Sequence, residues 1–164
     1  MAYLPTMFSK FVTVSAAEIL GMNTNPVLLL AGVAGAVINL ESLLLIYSYN
    51  SVAFNPGSDD QVIVFMGAAD GSNTALSQDA VGTPAQGFVD QTVPTVSWQT
   101  TWMQTDSPNN AGGNVNGGIL STVLRGSGVY LTQFNSSDGF PNGANWTQGN
   151  GEITVLLRYS LIKA

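Results

Sequence analysis

Hydrophobic residues along this chain come in short blocks separated by stretches rich in glycine, asparagine, proline and serine. That spacing belongs to an all-β protein rather than to long amphipathic helices. The first block, Phe11–Val14, reads as a short strand. Ser15-Ala16-Ala17-Glu18 behind it has the spacing of a capping box, in which the Ser15 hydroxyl accepts from the Glu18 amide and Glu18 reaches back to the Ser15 amide. The helix it starts is short, because Gly21 sits where a left-handed C-terminal cap belongs. After the Asn23-Thr24-Asn25-Pro26 turn come two apolar runs, Pro26–Ala31 and Ala36–Tyr49, separated by Gly32–Gly35. These are expected to form the first hairpin. Residues 37–49 alternate at Ile38-Asn39-Leu40-Glu41 and become solidly apolar at Leu43–Ile46, which predicts a strand buried on both faces. Helix competes over Leu40–Tyr47, but Tyr47-Ser48-Tyr49 and the Phe54-Asn55-Pro56-Gly57 turn favour strand.

Further along, Gln61–Met66 predicts another strand, led in by a turn at Ser58-Asp59-Asp60. Gly67–Thr92 has weak periodicity and reads as a long excursion with a short helix near Thr74–Ala80. Val93–Thr105 alternates as a strand on which Trp98 and Trp102 share parity. Ser107–Gly118 is a loop by composition, and Ile119–Leu124 and Gly128–Phe134 read as strands joined by Arg125-Gly126-Ser127. Asn135–Gly151 is a turn-rich loop holding Phe140 and Trp146. Glu152–Ile162 is the most regular strand: Ile153, Val155, Leu157, Tyr159 and Leu161 form one face, while Leu156 and Ile162 make the other partly apolar. The sum is about eight strands and one short N-terminal helix. It predicts a single all-β domain over residues 11–164, a β-sandwich or jelly-roll-like barrel. Residues 1–10 precede it as an arm that packs on a neighbour or as a frayed terminus.

Composition changes the picture most through charge. Only 9% of the 164 residues are Asp, Glu, Lys or Arg, against about 25% in an ordinary soluble protein. A surface so poor in charge is weakly protected against association and suits a subunit covered by neighbours; a polar monomeric β-protein is the plainer alternative. The net charge of −6 and the four scattered cations, Lys10, Arg125, Arg158 and Lys163, argue against nucleic acid as a partner. Residues 1–10 lack the basic and apolar regions of a signal peptide. The run Val27–Ile38 is too short and too glycine-broken to span a bilayer, so no membrane segment is expected.

Candidate chemistry is sparse. The chain has no cysteine and no histidine, which removes thiolate sites, cysteine nucleophiles, the commonest general base and the commonest transition-metal ligand. Asp59-Asp60 is the one acidic doublet, and in its Pro-Gly-Ser context it reads as a solvated turn rather than half of a glycosidase pair. Asp70-Gly71-Ser72-Asn73 lacks the later acidic ligands of a calcium loop. The sequons at Asn135 and Asn145 read as incidental in an Asn-rich chain. The glycines at 112 and 113 do not open a helix after a strand, so no phosphate cradle is expected. No catalytic, cofactor or metal site is therefore expected. Trp98, Trp102 and Trp146 would stack on sugars if exposed together; filling a core or a subunit interface is the plainer role.

The order of elements does resemble a known group. Phe11-Val-Thr-Val-Ser-Ala-Ala-Glu-Ile-Leu20, the Asn25-Pro26-Val-Leu-Leu-Leu30 strand and the closing Gly149-Asn-Gly-Glu-Ile-Thr-Val-Leu-Leu-Arg-Tyr159 are similar to segments at the two ends of small structural virion proteins of tailed bacteriophages. The turn Gly32-Val33-Ala34-Gly35 lacks the Pro and Lys of that pattern, and the Trp-bearing strand has no counterpart in it. The resemblance implies a non-enzymatic capsid cement or decoration protein on the outer surface of the virion, bound to the major capsid protein. A tail or head-fibre component with a carbohydrate-binding β-sandwich is the alternative. Because cement proteins cluster at symmetry axes, a homotrimer is implied. The expected interface is the N-terminal arm (Tyr3, Leu4, Met7, Phe8, Phe11) with the second face of the last strand (Leu156, Arg158, Ile162).

Overall fold

The structure, a computed structural model, describes residues 6–67, 82–99, 126–135 and 146–163. Within them the chain forms eight strands and one short helix: β1 Met7–Val14, α1 Ala16–Gly21, β2 Val27–Leu30, β3 Ala36–Ser48, β4 Asp60–Gly67, β5 Gly82–Pro84, β6 Thr95–Gln99, β7 Gly128–Asn135 and β8 Glu152–Lys163. They make two four-stranded antiparallel sheets, ordered β1-β8-β3-β6 and β2-β7-β4-β5. The fold is all-β, and neither sheet closes on itself. The pairs β1·β8, β2·β7, β3·β6 and β4·β5 are those of one long antiparallel ribbon doubled back on itself. The pairs β3·β8 and β4·β7 then roll that ribbon into two layers.

This winding overturns the expected first hairpin. β2 pairs with β7 and β3 with β8 and β6, so Gly32–Gly35 carries the chain from one sheet to the other. The reason is local. A β-carbon at Gly32 would lie 1.8 Å from the Gly126 carbonyl oxygen, and Gly35 has a φ of +74°. Only residues without a side chain let the segment before β7 pass this close.

β1 begins at Met7, four residues before the strand expected from sequence, and pairs with β8 in unbroken register. Residues 7–10 of the expected arm therefore belong to the sheet, while Tyr3 and Leu4 lie outside the described residues. The capping box of α1 forms as expected: the Ser15 amide donates to Glu18 Oε2 at 2.8 Å, and the Glu18 amide donates to the Ser15 hydroxyl at 3.4 Å. Gly21 is not a left-handed cap. It is the last helical residue, Met22 follows in right-handed geometry, and the amides of Thr24 and Asn25 close the end on the Gly21 carbonyl.

The core lies between the sheets. Leu43, Leu45, Tyr47, Ile153, Val155 and Leu157 from one sheet share a hydrophobic cluster with Leu29, Val62, Val64, Met66, Val129 and Leu131 from the other. A bulge in β3 sets which of its residues face this core. The register against β8 slips between Leu40 and Ser42, so Glu41 is an extra residue and the inward parity switches from Ile38 and Leu40 to Leu43, Leu45 and Tyr47. The expected burial of β3 on both faces holds at Val37 and Ile38 only. Beyond the bulge Leu44 and Ile46 are half-exposed.

Two further segments differ from expectation. β5, with buried Ala85, Phe88 and Val89 behind it, lies inside the expected Gly67–Thr92 excursion. The expected helix at 74–80, the strand at 119–124 and residues 100–105 of the Trp-bearing strand lie outside the described residues.

Candidate interaction surface

The sheet β1-β8-β3-β6 turns one face to the core and the other away from it. Register places Phe11, Leu156, Leu44 and Trp98 in one row across all four strands, and Thr13, Thr154, Ile46 and Val96 in the next. The parity is outward, because the alternating residues Val155, Leu157, Leu43 and Leu45 fill the core. Phe11 is 67% exposed and Val96 60% exposed, while Leu156, Leu44 and Ile46 are half-buried by their neighbours in the sheet. The result is an apolar band across the outside of an open sheet. Beyond it, toward the β3 bulge, Ser9, Arg158 and Ser42 form a polar row. Asn39 donates to Glu41 at 2.6 Å and to the Ser160 hydroxyl at 3.2 Å, which satisfies the polar groups at the bulge.

Of the residues expected at an interface, the structure brings Phe11, Leu156 and Arg158 to this face. Met7 is exposed and pairs with Ser160, also at an outward position, and Ile162 is half-buried opposite Val37. Phe8 is exposed as well, but it lies on the opposite strand parity from Phe11, where its ring stacks on Tyr159 with centroids 5.4 Å apart. Sequence reasoning missed Leu44, Ile46 and Val96. Once the bulge is known, Leu44 and Ile46 carry the same outward parity as Leu156, but an uninterrupted strand gives no hint of that switch.

One of the three tryptophans has a described side chain. Trp146 is 4% exposed and packs on Phe54 with ring centroids 5.8 Å apart, the plainer core role rather than the alternative of stacking on a sugar. Its indole Nε1 donates to Asp60 Oδ2 at 2.8 Å. Trp98 occupies the register position opposite Leu44, and Trp102 lies outside the described residues.

Asp60 corrects a second expectation, because it is no solvated turn residue. It is 5% exposed, and beside the Trp146 indole its carboxylate accepts from the Gly57 amide at 2.6 Å and from the Asn135 side chain at 2.7 Å. Three donors on one buried carboxylate tie the start of β4 to the end of β7 and to the segment before β8. That is a structural clasp, in which a charge removed from water is held by hydrogen bonds. Asn135, the first expected sequon, thus has its side-chain amide engaged. Beside the clasp, Asn150 Oδ1 accepts from the amides of Ser51 and Val52, and Asn55 Oδ1 from that of Thr147, zipping the loop after β3 to the segment before β8.

Among the described residues no three acidic side chains gather into a cluster able to hold a metal ion, and no helix is long and apolar enough to cross a membrane. A scan against protein-family models finds no matching family, and searches of curated proteins and of solved structures find no match.

Proposed function

We propose that this chain is a non-enzymatic structural component of a phage virion, a cement or decoration protein that binds the outer surface of the head shell and stabilises it. The observation that carries this reading is the apolar band of Phe11, Leu156, Leu44, Ile46 and Val96 on an open sheet face. An apolar band with a polar margin is the usual build of a protein–protein contact. The low charge of the chain, 9% of residues, supports it, since covered subunits need little charged surface. The strand order supports it as well. We read the rolled ribbon 1-8-3-6 and 2-7-4-5 as jelly-roll winding, an architecture shared by viral capsid and lectin domains. Architecture alone does not assign function, so the weight rests on the face. The major capsid protein is the proposed partner, and a homotrimer on a symmetry axis the proposed assembly.

A tail or head-fibre role with sugar binding is the second reading, favoured only by the place of Trp98 in the apolar row. With Trp146 in the core, a sugar platform would need Trp98 and Trp102 alone.

Phe11→Asp tests the face. Binding of the purified variant to head particles lacking the protein is expected to weaken by at least about tenfold, or ~1.4 kcal/mol. Its β circular-dichroism spectrum and Tm should stay those of the parent, because Phe11 is mostly exposed. Leu28→Asp, at an exposed position on the other sheet, should bind as the parent does. Unchanged binding by the Phe11 variant would remove this face from the interface.

A further inference from the structure

The outer face of the sheet β1-β8-β3-β6 carries its charges in a particular order. Glu152 opens β8 and shares outward parity with Thr154, Leu156 and Arg158, and both Glu152 and Arg158 are exposed. Between them lie the rows of the apolar band, Thr13-Thr154-Ile46-Val96 and Phe11-Leu156-Leu44-Trp98. The acid and the base thus flank the band on opposite sides, about 20 Å apart along one strand and too far to pair with each other. The other charges of these strands lie elsewhere. Lys10 and Lys163 fall on the inward parity, and Glu41 accepts from Asn39 and Ser160 at the bulge.

This order complements itself. A two-fold axis running across the strands, between the two apolar rows, sets β8 antiparallel over β8 of a second copy. Glu152 then lies over Arg158 of the second copy, and Arg158 over its Glu152. At the roughly 10 Å spacing of stacked sheets these long side chains reach each other. Phe11 faces Thr13 of the second copy and Leu156 faces its Thr154, so large side chains meet small ones and the two faces interdigitate. Stacking with the strands parallel sets each row on its like and leaves both charges unmatched.

We infer that the free chain pairs with a second copy through this face, as an isologous dimer with antiparallel stacked sheets. The pair covers the docking face, so it is the state of the chain in solution, and attachment to the shell separates it. That separation rests on the role proposed above; the pairing itself stands on the face alone. Four strands about 4.8 Å apart and about 20 Å long present a face at the small end of specific interfaces, so dissociation is expected at about 100 µM.

Sedimentation equilibrium of the full chain and its charge variants tests the pairing. Arg158→Glu and Glu152→Arg should each weaken the dimer by at least about tenfold, because symmetry places every like-charge contact twice. Both positions are exposed, so the β circular-dichroism spectrum should stay that of the parent. Mixed one to one, the two variants should pair with each other, and a chain carrying both changes should regain the parent's dimer. A parent that stays monomeric up to about 1 mM would overturn the pairing. So would a dimer indifferent to the single reversals, or one that neither mixing nor the double change restores. A dimer that binds no head particles would keep the pairing and sink the role at the shell. Particle binding by a chain that is always monomeric would do the reverse.

Discussion

Ser15 and Glu18 show how much a four-residue pattern can decide. The Ser15 hydroxyl and amide both bond the Glu18 carboxylate, and these bonds hold its pKa below the ordinary value of 4.5. A carboxylate whose folded pKa is depressed contributes stability that is complete above its unfolded pKa and is lost as pH falls through the folded one. The capping contribution should therefore be present at neutral pH and fade below about pH 4.5. Glu18→Gln should cost about 0.5 kcal/mol at pH 7, the low end for an exposed cap. The difference between variant and parent should shrink in acid, as urea denaturation at a series of pH values would show. Gly21 illustrates the opposite case. The residue type suggested a left-handed cap, but the helix closes through the amides of Thr24 and Asn25, and a β-carbon at Gly21 would meet nothing within 4 Å. Gly21→Ala is thus expected to raise stability by about 0.5–1 kcal/mol; a left-handed Gly21 would give a loss instead. Asp60 was not legible in the sequence, because two of its three donors lie 75 and 86 residues away. No local pattern announces such a clasp.

At the scale of elements, legibility followed regularity. β8 alternates from Ile153 to Leu161 and was plain from sequence. β3 was plain as a strand but not in its facing, because one extra residue at Glu41 exchanges the inward and outward sets. β5 is too short to carry a period at all. The misread pairing of β2 with β3 has a different origin. Neighbouring strands usually pair, whereas here the chain is wound as a doubled ribbon and all successive strands but β4 and β5 change sheet. The apolar face was half legible for the same reasons: Phe11 and Leu156 stood out, while Leu44 and Ile46 needed the bulge and Val96 needed the β3·β6 register. The change of sheet makes Gly32 a sensitive position. Gly32→Ala is expected to cost about 3 kcal/mol or more, since the obstructing atom is backbone and cannot swing aside. A midpoint of chemical denaturation close to the parent's would show that the approach of Gly32 to Gly126 is not as tight as described.

For the whole molecule, the design joins a buried core between two open sheets to an outer face that is apolar and a surface that is poor in charge. The three described cations sit on β1 and β8, and the clasp of Asp60, Asn135 and Trp146 lies at β4 and β7, away from that face in the other sheet. This separation leaves one sheet for the proposed docking surface while the other carries the structural clasp. The account stands or falls on whether the chain is a component of a particle shell. Its copy number in purified virions, measured by quantitative mass spectrometry against the major capsid protein, tests this most directly. A near-stoichiometric ratio is the result expected of a cement protein. A handful of copies per particle would contradict that assignment and move the chain to a tail or fibre, and absence from the particle would contradict the structural role altogether.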